Sequence, residues 1–305
     1  MRNAFAEEIT NLAKKNKKIV LLSGDIGNRL FDKFRREFPE RFYNCGIAEA
    51  CMTGVASGIA HLGLSPVTYT IATFNTARCL EQIKIDVCYP NLSVVIVGTG
   101  AGLSYASLGS THHSIDDIAF LRAIPNLKIL CPSDPIEVKK LLKDALKMGG
   151  PVYLRLGKKN EPIIKSRKRI GKSDLIIGGK SNLLISVGNI LKFAIEASEQ
   201  LKRKRIDNSV IDLRYIKPLD NKVLKMAFKN YKKIIVIEEH YISGGVGSSI
   251  MEWAKKNKCN PNNVFLLGAE NKFVHSSGDQ FSARGKVGLS IKNIVNKVVK
   301  IVNKT

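Results

Sequence analysis

The run NCGIAEACMTGVASGIA (44–60) holds the residues whose types and spacing best suit chemistry. Glu49 falls in the first turn of a helix pattern, directly after a tight turn at Cys45-Gly46, where a carboxylate complements the helix dipole. Gly54 and Gly58 lie four residues apart among alanines, so the helix presents a nearly bare face. Such a face lets another backbone approach closely, at a cost in helix propensity. Taken alone, Glu49 also fits the role of an ordinary charge at a helix N-terminus.

Other catalytic and metal-binding patterns are weak in this sequence. The run VGTGAG (97–102) follows an apolar stretch but lacks the G-x-G-x-x-G spacing of a dinucleotide loop, and no G-x-S-x-G marks a nucleophilic serine. The cysteines form no C-x-x-C pair and have no histidines at ligand spacing, which is typical of reduced thiols in a cytosolic protein. The six cysteines are Cys45, Cys51, Cys79, Cys88, Cys131 and Cys259.

Short apolar runs alternate with amphipathic segments along the whole chain, which predicts an α/β protein with mostly parallel sheets flanked by helices. The predicted strands are 19–22, 92–98, 127–130, 151–156, 182–188, 208–213 and 233–239. The predicted helices are about 3–15, 28–38, 48–61, 74–88, 134–147, 189–204, 219–229, 246–257 and 291–302. The last helix has one apolar stripe and a lysine-rich face, a pattern that favours core packing over a membrane-surface helix.

The length of 305 residues suggests two domains at ~150 residues each. The segment 157–181 is basic and glycine-rich, so we predict a first domain at 1–156, a linker at 157–181 and a second domain at 182–305. The chain has 49 lysines and arginines against 26 acidic residues, a net charge of +23. Lysines are spread along the whole chain and no nucleic-acid-binding motif occurs, so we expect no nucleic-acid partner. The sequence also has no run of ~20 apolar residues and no signal-peptide pattern, which predicts a cytoplasmic protein without a membrane partner.

The run 44–60 resembles the aminopyrimidine-binding motif of thiamine-diphosphate enzymes of the transketolase family. Further runs match the same family in order and spacing: TIATFNTARCLEQ (70–82), Gly102-Leu103, GSTHHSIDDIAFLRAIPN (109–126), PSDP (132–135) and GPVYLR (150–155). Glu238-Glu239-His240 followed by GGVGS (244–248) is similar to the C-terminal domain of the family. The resemblance covers nearly the whole chain, and it corresponds to the second subunit of a split transketolase.

The resemblance implies roles for particular residues. Glu49 would be catalytic and bind the cofactor by a hydrogen bond to a ring nitrogen of the aminopyrimidine. Phe74 and Ile71 would also contact the cofactor, and His112 would be a second catalytic residue near the substrate hydroxyls. Three further residues are substrate candidates: Arg2, His113 and Lys158. The second domain is expected to carry no catalytic residue and to support dimer contacts.

The resemblance also implies a partner subunit. The family holds the diphosphate and its metal through a Gly-Asp-Gly motif, but this sequence has only Gly24-Asp25-Ile26 and Gly278-Asp279-Gln280. We therefore expect thiamine diphosphate to be shared with an N-terminal-type transketolase subunit that carries the motif and binds Mg²⁺ or Ca²⁺. This chain would bind no metal, and the assembly would be an α2β2 heterotetramer.

The substrate positions depart from a pentose-phosphate transketolase, which usually has an aromatic residue near Ile71, a histidine near Gly100 and an aspartate near Leu108. A sugar hydroxyl buried without its acceptor costs ~1–3 kcal/mol, so we expect ketol transfer to an altered acceptor, such as a modified or nucleotide-linked sugar. The alternatives are the β subunit of a 2-oxoacid dehydrogenase or a deoxyxylulose-phosphate-synthase-like enzyme. A non-enzymatic alternative is a regulatory or nucleic-acid-binding protein on the same fold.

Overall fold

The computed structural model describes residues 1–27, 29–158, 161–164, 171–275 and 278–303. The chain forms two compact units, one of Met1–Ala101 and Phe120–Ile163, the other of Gly102–Ala119 and Ile164–Thr305. Residues 102–119 thus belong to the second unit, although both flanking stretches belong to the first. The sequence analysis assigned the same residues to the predicted first domain, because their position along the chain does not reveal what they pack against.

The helices and strands follow one another in α/β alternation. They are α1 (Arg2–Lys15), β1 (Ile19–Ser23), α2 (Asp32–Glu37), β2 (Phe42–Asn44), α3 (Glu49–His61), β3 (Ser65–Ile71), α4 (Leu80–Gln82), β4 (Val95–Thr99), α5 (Asp117–Arg122), β5 (Lys128–Leu130), α6 (Pro135–Lys147), β6 (Val152–Arg155), β7 (Ser173–Ile177), β8 (Asn182–Val187), α7 (Leu191–Arg203), β9 (Asn208–Leu213), β10 (Tyr215–Lys217), α8 (Asn221–Asn230), β11 (Lys233–Tyr241), α9 (Val246–Lys256), β12 (Val264–Ala269), α10 (Gln280–Lys286) and α11 (Ile291–Asn303). A π-helix at Ile83–Cys88 continues α4.

The first unit is built on parallel strands in the order β5-β6-β4-β3-β1-β2. Strands β1, β4 and β6 are buried along their whole length, which explains their mostly apolar sequences. Strands β1 and β3 are neighbours and pair from Ile19↔Ser65 to Ser23↔Tyr69. Their carboxyl ends therefore lie at the same edge of the sheet, where ligand sites of open α/β sheets are commonly found.

The second unit contains a sheet in the order β12-β11-β8-β9-β7, parallel except for the antiparallel pair β7–β9. Helices α7 and α11 pack on it, and Ile294, Val295 and Val298 of α11 are buried in its core cluster. The apolar stripe of α11 therefore packs in the core, as predicted, and is not available to a membrane surface. No helix in the described part of the chain is long and apolar enough to cross a membrane.

Strand β7 lies inside the segment predicted as a linker. Residues 159, 160 and 165–170 of that segment lie outside the described residues. Arg214 anchors β7, because its Nη2 donates to Asp174 at 2.7 Å and its Nη1 donates to the Gly171 carbonyl at 3.0 Å. Since β7 is a short edge strand whose residues stay partly exposed, its sequence shows no buried alternation. The predicted domain bounds themselves stay a prediction.

The α/β fold class and the two mostly parallel sheets are confirmed, and each of the seven predicted strands overlaps an observed one. Strand β3, which contributes to the site, was missed because it begins with Ser65-Pro66 and mixes polar with apolar residues. Its polar residues Thr68 and Thr70 are buried because the strand lies inside the sheet.

Candidate active site

Glu49 is the first residue of α3, and only 2% of its surface is exposed. Its carboxylate lies at the end of the helix where backbone N–H groups have no partners within the helix, so its negative charge is favoured there. A Cβ added to Gly24, directly after β1, would lie 3.3 Å from Glu49 Cγ and 3.1 Å from Thr70. The glycine therefore permits the close approach of Glu49 to the ends of β1 and β3.

Arg78 is the residue that holds Glu49. Its Nη1 donates a hydrogen bond to Glu49 Oε2 at 2.5 Å, and its guanidinium lies 4.3 Å from the centroid of the Phe74 ring. The structure thus brings Glu49 and Phe74 together through one arginine, as a charge-assisted hydrogen bond and a cation–π contact. The sequence analysis missed Arg78, although it is the only cation in the run TIATFNTARCLEQ.

The turn that carries Phe74 is fixed by the end of β3. The backbone N–H groups of Phe74 and Asn75 both donate to the carbonyl of Ile71 at 2.9 Å. The buried Asn75 amide donates to the Val97 carbonyl at 2.9 Å and to Thr68 Oγ1 at 3.2 Å, which ties the turn to β4 and β3. Ile71 itself is buried at the last position of β3 and serves as the base of the turn.

Arg2, the first residue of α1, lines a cavity of about 620 Å³ in the first unit together with Arg29 and Lys33. Glu7 is the one acidic residue in the described lining, so positive charge predominates. The cavity therefore favours an anionic ligand. Lys158, the third residue after β6, is partly exposed in the same unit.

His112 and His113 lie in the second unit. His112 is partly exposed, and its Nδ1 lies 3.0 Å from Thr111 Oγ1. His113 is only 5% exposed, and this burial lowers the pKa of its imidazole below the ordinary 6.5. Of the two, His112 has the access that contact with a substrate requires.

Within the residues that the structure describes, no group of three or more histidine, cysteine, aspartate or glutamate side chains is arranged to hold a metal ion. The described site consists of the buried Glu49 carboxylate, the Phe74 ring and Arg78, which contacts both.

Two family models match the chain. Residues 1–162 match the transketolase pyrimidine binding domain, and residues 171–266 match the transketolase C-terminal domain. The chain belongs to the transketolase family. The family resemblance predicted from the motifs is thereby confirmed, and the buried Glu49 falls within the pyrimidine-binding part of this transketolase-family chain.

Similar proteins include chains of the same extent. An apulose-4-phosphate transketolase subunit of Phocaeicola vulgatus is 32% identical over 309 residues, covering 99% of this chain and 97% of the relative. A solved structure described as "Split gene transketolase, inactive beta4 tetramer" is 31% identical with a TM-score of 0.87, covering 98% of this chain and 96% of that one. These matches confirm the prediction that the chain corresponds to the second subunit of a split transketolase.

One longer relative is named as a synthase and not as a transketolase. The 1-deoxy-D-xylulose-5-phosphate synthase of Halothermothrix orenii is 35% identical over 277 residues, covering 88% of this chain. The chain spans 43% of that enzyme's length, so this match concerns only part of the relative.

Proposed function

We propose that this chain is the C-terminal-type subunit of a split transketolase that moves a two-carbon ketol group from a ketose donor to a sugar acceptor. The observation that carries the proposal is the near full-length match to split-transketolase chains combined with the buried Glu49 beside Phe74 and Arg78. Thiamine diphosphate, when bound, supplies the electron sink for the ketol group.

The residues of the first unit fit the aminopyrimidine part of this cofactor. Glu49 is a nearly inaccessible carboxylate that can share a proton with a ring nitrogen, and Phe74 offers an aromatic surface next to it. Arg78 holds Oε2 of Glu49 and so fixes the direction of the carboxylate. In this proposal Glu49 shares a proton with the ring nitrogen, Arg78 orients the carboxylate, and Phe74 packs against the ring.

We propose that a partner subunit holds the diphosphate and its Mg²⁺ or Ca²⁺ through a Gly-Asp-Gly motif, in an α2β2 assembly. Two observations support a partner. The solved relative is described as inactive as a tetramer of β chains alone. On α3 of this chain, a Cβ added to Gly54 or Gly58 would meet no described atom within 4 Å, and Cys51 and Val55 are exposed on the same helix.

We propose an anionic sugar as the substrate, with Arg2 as a contact, because Arg29 and Lys33 add positive charge to the same cavity. The name of the Phocaeicola vulgatus relative supports a sugar phosphate other than the usual pentose phosphates. Leu108, at the position predicted to lack a hydroxyl-binding aspartate, is 51% exposed. We retain His112 as a catalytic residue near the substrate and His113 and Lys158 as substrate candidates, with His113 disfavoured by its burial.

A deoxyxylulose-phosphate-synthase-like activity is the second candidate, supported by the 35% identity to the Halothermothrix orenii enzyme. We place the enzyme in the cytoplasm, which the six free cysteines support.

The decisive experiment begins with a pull-down of the tagged chain from its native cell extract and identification of its stoichiometric partner. The reconstituted complex is then assayed with ketose phosphates and, separately, with pyruvate. We expect ketose turnover, and Glu49→Gln should lower kcat by at least about a hundredfold while leaving assembly intact.

Glu137→Gln is the matched control, because Glu137 is also fully buried in the first unit but accepts hydrogen bonds from the backbone N–H and hydroxyl of Ser133, just before α6. The folded fraction of the Glu137→Gln variant should turn over ketose phosphates at the wild-type rate. Normal turnover by Glu49→Gln would refute the catalytic assignment, and turnover of pyruvate without ketoses would favour the synthase-like candidate.

A further inference from the structure

The residues 102–119, which we name the histidine segment, form a closed loop in the second unit. Gly102 and Ser114 exchange both backbone hydrogen bonds, at 2.9 and 3.0 Å, and so close the loop that contains His112. Its apolar residues Leu103, Ala106 and Ile115 are buried in one cluster with three residues of the C-terminal part, namely Ala269, Val274 and Ala283. The position of His112 is therefore determined by what holds this loop on the second unit.

Glu239, near the end of β11, makes the central contact with the loop. Its Oε1 accepts a hydrogen bond from the backbone N–H of Leu103, and its Oε2 accepts one from Nε of Arg284 at 2.6 Å. Gln280 Nε2 donates to Glu239 Oε1 at 2.9 Å and to Ser104 Oγ at 3.2 Å. A Cβ on Gly102 would lie 2.5 Å from Glu239 Oε1, so the loop backbone approaches the carboxylate as closely as glycine allows.

Arg284 completes this contact from α10. The side chain of Glu239 is fully buried, and Arg284 is only 7% exposed, so the ion pair lies away from solvent. The Arg284 guanidinium also donates a hydrogen bond to Asn189 Oδ1 at 3.2 Å, and its carbon lies 4.6 Å from the centroid of the Phe193 ring. Removing one partner of such a pair leaves a buried charge without compensation.

The next residue of β11 holds the far end of the loop. The backbone N–H of Ala119 donates to His240 Nε2 at 3.3 Å, and His240 Nδ1 lies 2.7 Å from the Tyr241 carbonyl. The N–H of Tyr241 donates to the Ile115 carbonyl at 2.7 Å. Both ends of the histidine segment are thus bound to the end of β11.

We propose that Glu239 and Arg284 are positioning residues of the ketol-transfer reaction, which hold the histidine segment so that His112 is placed for the substrate. This inference rests on the proposed function, since that function gives His112 its role. It assigns a part in catalysis to β11 and α10 of the second unit, for which the sequence predicted only dimer contacts.

Glu238 offers a matched control. It is the neighbouring residue on β11 and is equally buried, but its carboxylate accepts the N–H groups of Val246 and Gly247 at the start of α9. Glu238→Gln and Glu239→Gln therefore make the same chemical change on one strand, and only the second weakens a contact with Leu103 of the histidine segment.

The test compares both variants in the complete complex. In Glu239→Gln we expect kcat/KM for the sugar substrate to fall by about tenfold to a hundredfold, with an unchanged Kd for thiamine diphosphate. Arg284→Lys should show the same pattern to a smaller degree, because it keeps the charge but loses the planar fork. Glu238→Gln should remain close to the wild type in kcat/KM. Equal losses in Glu238→Gln and Glu239→Gln, or no loss in Glu239→Gln, would overturn the proposal.

Hydrogen exchange separates this inference from the proposed function. Peptides covering 102–119 should exchange faster in Glu239→Gln than in the wild type, and at the wild-type rate in Glu238→Gln. If the wild-type complex turns over no sugar, the catalytic role falls together with the proposed function. If the wild type is active but exchange in Glu239→Gln is unchanged, the positioning role alone is refuted.

Discussion

The ion pair between Arg78 and Glu49 orients a buried carboxylate. Arg78 is 44% exposed at its side chain while Glu49 is almost fully buried, so the arginine reaches inward from the surface. Its guanidinium carbon lies over the Phe74 ring, so the guanidinium has a second contact besides Glu49. A lysine could supply the charge but neither the planar stacking nor the fork geometry. The residue type at position 78 therefore determines how Glu49 is directed.

We predict that Arg78→Met lowers kcat/KM of the assembled enzyme about tenfold, because Glu49 loses a charge-assisted hydrogen bond. Arg78→Lys should lie between Arg78→Met and the wild type. Steady-state kinetics of the complex measure the effect. Equal activity of all three proteins would show that Arg78 has no positioning role.

His113 provides a prediction about pH. Burial lowers its pKa, while the negative charge of Glu239 opposes and the neighbouring His112 reinforces that shift. The unfolded chain then binds the proton more readily than the folded chain, so His113 costs stability as the pH falls below about 6.5.

We expect the free energy of unfolding to decline less steeply between about pH 7.5 and 5.5 in His113→Gln than in the wild type. Denaturant unfolding at a series of pH values measures this slope. An identical slope in both proteins would show that His113 does not contribute to the acid sensitivity.

At the scale of the element, helix α3 has one side packed in the first unit and another side exposed. Met52, Thr53 and Ala56 are buried against the first unit, while Cys51, Val55 and Gly58 are exposed. The small residues on the exposed side keep the backbone accessible, which suits packing against another chain. Because Glu49 begins the same helix, an interface on this face would lie next to the carboxylate.

We predict that Gly58→Leu leaves the isolated chain folded but weakens binding of the partner subunit by at least about tenfold, because the new side chain occupies the bare face. Gly285→Leu on α10 is the control, since Gly285 also has open space around its Cβ position. Circular dichroism checks the fold and titration calorimetry measures the affinity. Unimpaired binding by Gly58→Leu would place the interface elsewhere.

At the scale of the whole molecule, two properties bear on what the chain binds, namely its net charge of +23 and its lack of a Gly-Asp-Gly motif. An anionic substrate, a diphosphate cofactor and a complementary subunit all match a positive surface. The family membership favours these over nucleic acid, although the absence of a nucleic-acid partner stays a prediction.

We predict that thiamine diphosphate with Mg²⁺ binds to the mixture of this chain and its partner at least about tenfold more tightly than to either chain alone, because the proposed assembly divides the cofactor site between two chains. Titration calorimetry of each chain and of the mixture measures this. Tight binding by this chain alone would contradict the division of the cofactor site.

The α/β class and the family could both be predicted from the amino-acid sequence, whereas the catalytic role of Glu49 stays a prediction. They follow from local patterns, namely the alternation of apolar runs with amphipathic helices and the motif around 44–60. Strands β1, β8 and β9 were predicted within a residue of their observed ends because both their faces are buried. The edge strand β7 lacks that signal.

The folded chain was needed to show which residues meet. Arg78 contacts Glu49 across 29 positions, and Glu239 contacts Leu103 across 136 positions. The fold also places residues 102–119 with the second unit, although neighbouring sequence on both sides belongs to the first. Periodicity reports which face of an element is buried, whereas an ion pair or a closed loop depends on which elements the folded chain brings together.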